Sequence, residues 1–154
     1  MIPSSMERVP SSTSPEINRE IRTETRQNLA GIVAEGRDAI DERLAELERE
    51  WDIERLLECN ASSLAFTGVA LGALVDRRFL ILPALVTGFL FQHAVQGWCP
   101  PLPILRRMGF RTANEIEEER QALKIARGDY RQVATETNNK LAQLDQILAA
   151  VRKR

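Results

Sequence analysis

Cys59, His93 and Cys99 are the residues of this chain whose types could carry covalent or metal chemistry. A cysteine thiolate is a nucleophile and a metal ligand, and an imidazole is a base or a ligand. Their spacing gives little support to either. His93 and Cys99 stand in a His-x5-Cys arrangement that matches no zinc motif, and two cysteines are too few for a disulfide framework. With one histidine, no Gly-x-Ser-x-Gly, no phosphate-binding loop and no Cys-x-x-Cys, no catalytic constellation is present. No catalytic residue, metal or cofactor is therefore expected. What remains is Cys99 as a candidate reactive thiol, because Arg106 and Arg107 follow it closely and cations favour a thiolate. Gln92, His93 and Gln96 together could line a polar path for transport, although a histidine near a helix end more often makes an interhelical hydrogen bond.

The elements that would hold these residues follow from the distribution of apolar sequence. The 154 residues carry 21 basic and 22 acidic side chains, so no global field points to nucleic acid. Residues 1–15 have no apolar core after their charges, are not expected to be a cleaved signal peptide, and read as a disordered tail. Residues 16–58 and 112–154 are rich in charge and read as amphipathic arms. Between them, residues 61–75 and 79–95 contain no Asp, Glu, Lys or Arg. As helices these runs would be roughly 22 and 25 Å long, against a hydrocarbon core of about 30 Å. Each alone is short for a span; as a pair joined by Asp76-Arg77-Arg78, whose arginines can reach headgroups, they predict a transmembrane hairpin within residues 59–111. A buried hairpin in a soluble helical protein is the alternative.

Small residues recur within the hairpin. Ala61, Ala65, Gly68 and Gly72 share one face of the first helix, and Ala84 and Gly88 repeat the spacing in the second. Such faces let backbones approach closely in lipid. Five arginines (Arg49, Arg55, Arg106, Arg107 and Arg111) flank the outer ends, against Arg77 and Arg78 at the tip. This bias predicts both termini in the cytoplasm. After Val95, Gly97 ends the helix, Trp98 anchors at the headgroups, and Pro100, Pro101 and Pro103 stop the helix from continuing. Arg106 and Arg107 are then expected to face anionic lipid, and Thr112-Ala113-Asn114-Glu115 reads as a capping box that starts the next helix.

Asp76-Arg77 near the tip, Gly97-Trp98-Cys99-Pro100 after the second helix, and Met108-Gly109 with Thr112 beyond it resemble the YgaP-like inner-membrane domain, a bacterial family of unknown function. The resemblance covers residues 50–130, most closely 76–112. It implies a two-helix membrane hairpin in the bacterial inner membrane, assembled as a homo-oligomer, with the lipid bilayer as its first partner. Some relatives are fused to a rhodanese, a sulfur-transfer enzyme. No rhodanese pattern lies in these residues, so the resemblance implies at most an unidentified partner in sulfur metabolism, and no activity.

The arms complete the expected all-α fold. Ser14-Pro15-Glu16 is a helix start, and Ile17, Ile21, Leu29, Ile40, Leu44, Leu47 and Trp51 form an apolar stripe that Gly31 and Gly36 loosen. Leu123, Ala126, Tyr130, Val133, Thr137, Leu141, Leu144, Leu148 and Val151 form a second, coiled-coil-like stripe, with Gly128 as a kink. The sequence thus predicts a membrane scaffold or interaction protein. The alternatives are a thiol- or sulfur-handling membrane protein using Cys99 and a soluble helical hairpin.

Overall fold

The computed structural model describes residues 3–131 together with 147, 148 and 151. Among these the chain is helical throughout, with no strand. The helices are α1 (Arg8–Ser11), α2 (Pro15–Glu35), α3 (Arg37–Leu47), α4 (Ile53–Leu74), α5 (Ile81–Gln96), α6 (Leu102–Arg107) and α7 (Ala113–Arg127), with a 3-10 turn at Arg77–Leu80 leading into α5. They divide into two units. One comprises Met1–Thr23 and Trp51–Glu115, the other Glu24–Glu50 and Ile116–Arg154.

Local chemistry sets most boundaries. α4 starts at Asp52, whose carboxylate accepts the Arg55 N–H at 2.7 Å. It therefore begins eight residues before the uncharged run and reaches 22 residues, about 33 Å at helical rise. The 3-10 turn and α5 form a continuous apolar element of 20 residues, Arg77–Gln96. Both helices are long and apolar enough to cross a membrane, and only 17% and 6% of their most apolar stretches are buried. At the tip, Asp76 caps the 3-10 turn by accepting the Arg78 N–H at 2.8 Å.

The small face of α4 meets the start of α5. A Cβ at Gly68 would lie 2.5 Å from Pro83 Cδ, and one at Gly72 2.5 Å from a Leu80 methyl. The second small pair does not take part. Gly88 has nothing within 4 Å of a built Cβ, and Ala84 is exposed, so this face of α5 points away from α4. Ala61 and Ala65 are half-buried.

Residues 3–15, expected as a disordered tail, contain α1, and Val9 is 1% exposed. Val9, Ile53, Leu57, Cys99 and Leu102 make the core of the first unit, with Leu105 and Phe110 packed against it. A four-residue helix has no periodicity to betray it in sequence and forms because Val9 finds this core.

The expected single arm 16–58 is three elements. Gly36 (φ 108°) separates α2 from α3, and α4 takes residues from Ile53 onward. In the second unit Ile40, Leu44 and Leu47 of α3 pack on Ile116 and Leu123 of α7, with Leu29 and Ile32 of α2 against them. The two stripes thus meet within one chain. Arg43 pairs there with the buried Glu119 at 2.9 Å and with Glu46 at 2.8 Å, and these partners outweigh burial and keep its guanidinium protonated. α7 ends at Arg127, where Gly128 adopts φ 88° and donates to the Lys124 carbonyl. Of the C-terminal stripe, Val133, Thr137, Leu141 and Leu144 lie outside the described residues; Leu148 and Val151 are exposed.

Candidate functional site

His93 lies in the last turn of α5 and Cys99 just beyond it, while Cys59 is on the second turn of α4. Gly97 ends α5 in the left-handed region (φ 78°), and its N–H donates to the His93 carbonyl at 2.8 Å. The chain then turns through Trp98, Cys99, Pro100 and Pro101 into α6, with Pro101 as its cap and the Leu102 N–H donating to Cys99 O at 3.1 Å. The prolines start a helix here as much as they prevent one.

Cys99 is not an accessible thiol. It is 4% exposed, inside the core with Val9, Ile53, Leu57 and Leu102. Burial pushes its thiol up, away from the thiolate, against a weaker opposing hydrogen bond from the Leu102 N–H. Its presumed activators are elsewhere. Arg106, expected to face lipid, is 1% exposed and has both terminal nitrogens on protein partners, while Arg107 is exposed. Arg111 is also buried, at 8%, leaving Arg49, Arg55 and Arg107 as the exposed cations among the five flanking arginines.

Arg106 is the polar centre of the unit. Nη1 donates to Glu115 Oε2 at 2.7 Å and to the Phe110 carbonyl at 3.0 Å; Nη2 donates to Glu115 Oε1 at 2.8 Å and to Asn18 Oδ1 at 3.0 Å. Asn18 in turn donates to the Pro10 carbonyl at 2.8 Å. Glu115 is the fourth residue of the capping box: it accepts the Thr112 N–H at 2.8 Å, and its own N–H donates to Thr112 Oγ1 at 3.2 Å. Burial alone would raise the Glu115 carboxyl, but the hydrogen bonds from Arg106 and Thr112 outweigh it and hold the group below the ordinary carboxylate value. One guanidinium thereby joins the starts of α2 and α7 to α6.

His93 is buried at 4%, and neither ring nitrogen has a hydrogen-bond partner. Gln92 is half-buried and Gln96 exposed, so the three do not share one environment. Cys59 is free and exposed on α4, and the two cysteines form no disulfide. Among the described residues no group of three or more His, Cys, Asp or Glu side chains could hold a metal ion. Trp98 is 38% and Trp51 42% exposed, the latter with the Arg55 guanidinium 4.4 Å from its ring centroid. Between α4, α5 and the exit turn an open groove of about 210 Å³ is lined by Leu57, Ala61, Leu64, Val86, Phe89 and Pro101.

In comparisons with known proteins, the chain matches no family model, no curated protein and no solved structure. What the site can do is therefore read from its own residues. It holds no nucleophile with a base beside it, and its strongest polar feature is a structural ion pair.

Proposed function

We propose that this chain is an integral membrane protein whose α4–α5 hairpin lies in the bacterial inner membrane and whose polar helices form a cytoplasmic interaction module of the YgaP-like kind. The observation that carries this reading is the uncovered apolar surface of both hairpin helices. Phe66, Val69, Leu74, Ile81, Leu85 and Phe91 are each at least half exposed. In water each such side chain forgoes about 1.5–3 kcal/mol of burial, whereas the core helix of a soluble protein is covered. Lengths of 22 and 20 residues match a core of about 30 Å.

Further support comes from the two ends of the hairpin. Trp51 and Trp98 flank the end where the chain enters and leaves, as interfacial aromatics do, and exposed Arg77 and Arg78 mark the tip. The residues Asp76-Arg77 and Gly97-Trp98-Cys99-Pro100 support the YgaP-like assignment. In that arrangement both termini are cytoplasmic, and the exposed Gly88 face of α5 is available to a second copy in the bilayer. Carbonate extraction of membranes from expressing cells tests the reading: retention in the pellet is the expected result, and release into the supernatant would replace the membrane hairpin with a soluble, self-associating one.

A further inference from the structure

The segment that leaves the hairpin is tied at both ends to the first turns of α4. Cys99 and Leu102 pack with Ile53 and Leu57 in one core, and the Arg111 carbonyl accepts the Ile53 N–H at 2.9 Å. Ile53 and Leu57 are the first and fifth residues of α4, about 6 Å apart along its axis. α6 lies between these ties and stays level with the start of α4. In a bilayer, an α4 of about 33 Å slightly exceeds a hydrocarbon core of about 30 Å, so this level is the boundary between acyl chains and headgroups.

α6 has two faces. Leu102, Leu105 and Arg106 turn inward, and Arg106 binds Asn18 and Glu115 at the starts of α2 and α7. Ile104 shares the opposite side with Arg107 and Met108, three and four positions on. All three are exposed, Ile104 at 62% and Met108 at 67%. The inner arginine is paired with Glu115, so Arg107 is the charge that α6 presents outward. On the first turns of α4 the exposed Arg55 and Glu58 have opposite signs. A cation set between apolar side chains is the pattern that seats a helix in an anionic headgroup layer.

We propose that the outer face of α6 is a binding surface for anionic phospholipid, with Arg107 against the phosphate and Ile104 and Met108 among the first acyl methylenes. This rests on the membrane reading of the hairpin and adds to it the lipid class and the residues that select it. Of the two arginines that the sequence directs at lipid, Arg107 alone is placed to reach it. Through Arg106 the same short helix holds the starts of α2 and α7, so the bound lipid and the polar helices share one support.

The test is tryptophan quenching in the full-length protein, reconstituted in phosphatidylcholine vesicles. Trp51→Phe and Trp98→Phe remove the natural indoles, and Ile104→Trp places one on the outer face of α6. The probes are minor fractions of phosphatidylglycerol or phosphatidylcholine brominated on their acyl chains. The brominated anionic lipid is expected to quench with an apparent affinity about fivefold above that of the zwitterionic one, the gain from one cation at the surface. Adding Arg107→Gln should bring the ratio close to one. Equal quenching by the two lipids, or an anionic preference that survives Arg107→Gln, overturns the assignment. Quenching by aqueous acrylamide and by neither lipid puts α6 in water. Protection from all three quenchers puts a second copy or another protein on it, and either result also overturns the proposal. Leu85→Trp in the same background reports the hairpin separately. Quenching there by both lipids, with none at position 104, refutes the α6 surface alone, whereas no quenching at either position refutes the hairpin in the bilayer. Ile104 and Leu85 are 62% and 55% exposed, so neither substitution replaces a packed residue.

Discussion

Arg106 and Glu115 form a two-pronged ion pair, at 2.7 and 2.8 Å, in which the guanidinium side chain is completely buried. Each partner also satisfies backbone groups: Arg106 the Phe110 carbonyl, Glu115 the Thr112 N–H. Removing one member strands the other's charge or its hydrogen-bonding groups in the core. Glu115→Gln is expected to cost about 3–5 kcal/mol, and Arg106→Met less, because the Glu115 side chain it leaves unpaired is 17% exposed and still accepts the Thr112 N–H. Because the folded pKa of Glu115 is depressed, its stabilisation is fully present above the unfolded value of about 4.3. It is lost as pH falls through the lower folded value. Urea titrations of the natural protein and of Glu115→Gln between pH 7 and pH 3 check both: the gap between them should close below about pH 4.

Gly97 and Gly109 both have positive φ, at 78° and 86°, but only Gly97 has a neighbour. Gly109→Ala should therefore lose about 1–2 kcal/mol for its backbone alone. Gly97→Ala should lose more, since its Cβ would collide with the Arg8 carbonyl, and α1 must move. Limited proteolysis near residue 8 together with thermal melts separates the two: both variants lower the Tm, and only Gly97→Ala speeds cleavage.

The hairpin is closed by Gly68 and Gly72 and not by Gly88. Gly68→Val drives a side chain into Pro83 and should lower the melting temperature in detergent by several degrees, at about 1–3 kcal/mol of overpacking. Gly88→Val meets open space on α5 and should leave intramolecular stability within about 0.5 kcal/mol. If this face packs on a second copy, Gly88→Val shifts the oligomer distribution in size-exclusion chromatography without changing the hairpin.

Cys59 and Cys99 differ in exposure, the first open and the second buried. At pH 7.4 a maleimide should label Cys59 at least tenfold faster than Cys99, as quantified on peptides after digestion. Faster labelling of Cys99 would revive a thiol function that its burial disfavours, and Cys99→Ser is accordingly expected to be silent in thiol assays.

Local signals in the sequence told true where they named a mechanism with its residues. Gly36 separates α2 from α3, although Gly31, expected to loosen the arm with it, leaves α2 unbroken; Gly97 ends α5, and Thr112 with Glu115 caps α7. The Ile40, Leu44 and Leu47 stripe finds its partner face on α7. Signals that depend on what folds over a residue were illegible. Arg106 follows prolines and precedes Arg107, so it reads as a lipid-facing cation. Its burial depends on Asn18, 88 positions upstream, and on Glu115. Cys99 likewise reads as interfacial until Val9 and Leu102 close over it. The start of α4 is hidden in the sequence because charged Glu54, Arg55 and Glu58 share its first turns with the core residues Ile53 and Leu57. The Ala84 and Gly88 spacing was present, but spacing does not say which face looks at which helix.

Sidedness of the hairpin tests the account most directly. In a Cys59→Ser, Cys99→Ala background, Arg78→Cys places a thiol at the tip and Glu118→Cys one on the exposed side of α7. With a membrane-impermeant maleimide, the tip thiol should be labelled in spheroplasts, and the α7 thiol only in inverted membranes. Labelling of both from the same side would contradict a hairpin that crosses the membrane with its helical module in the cytoplasm.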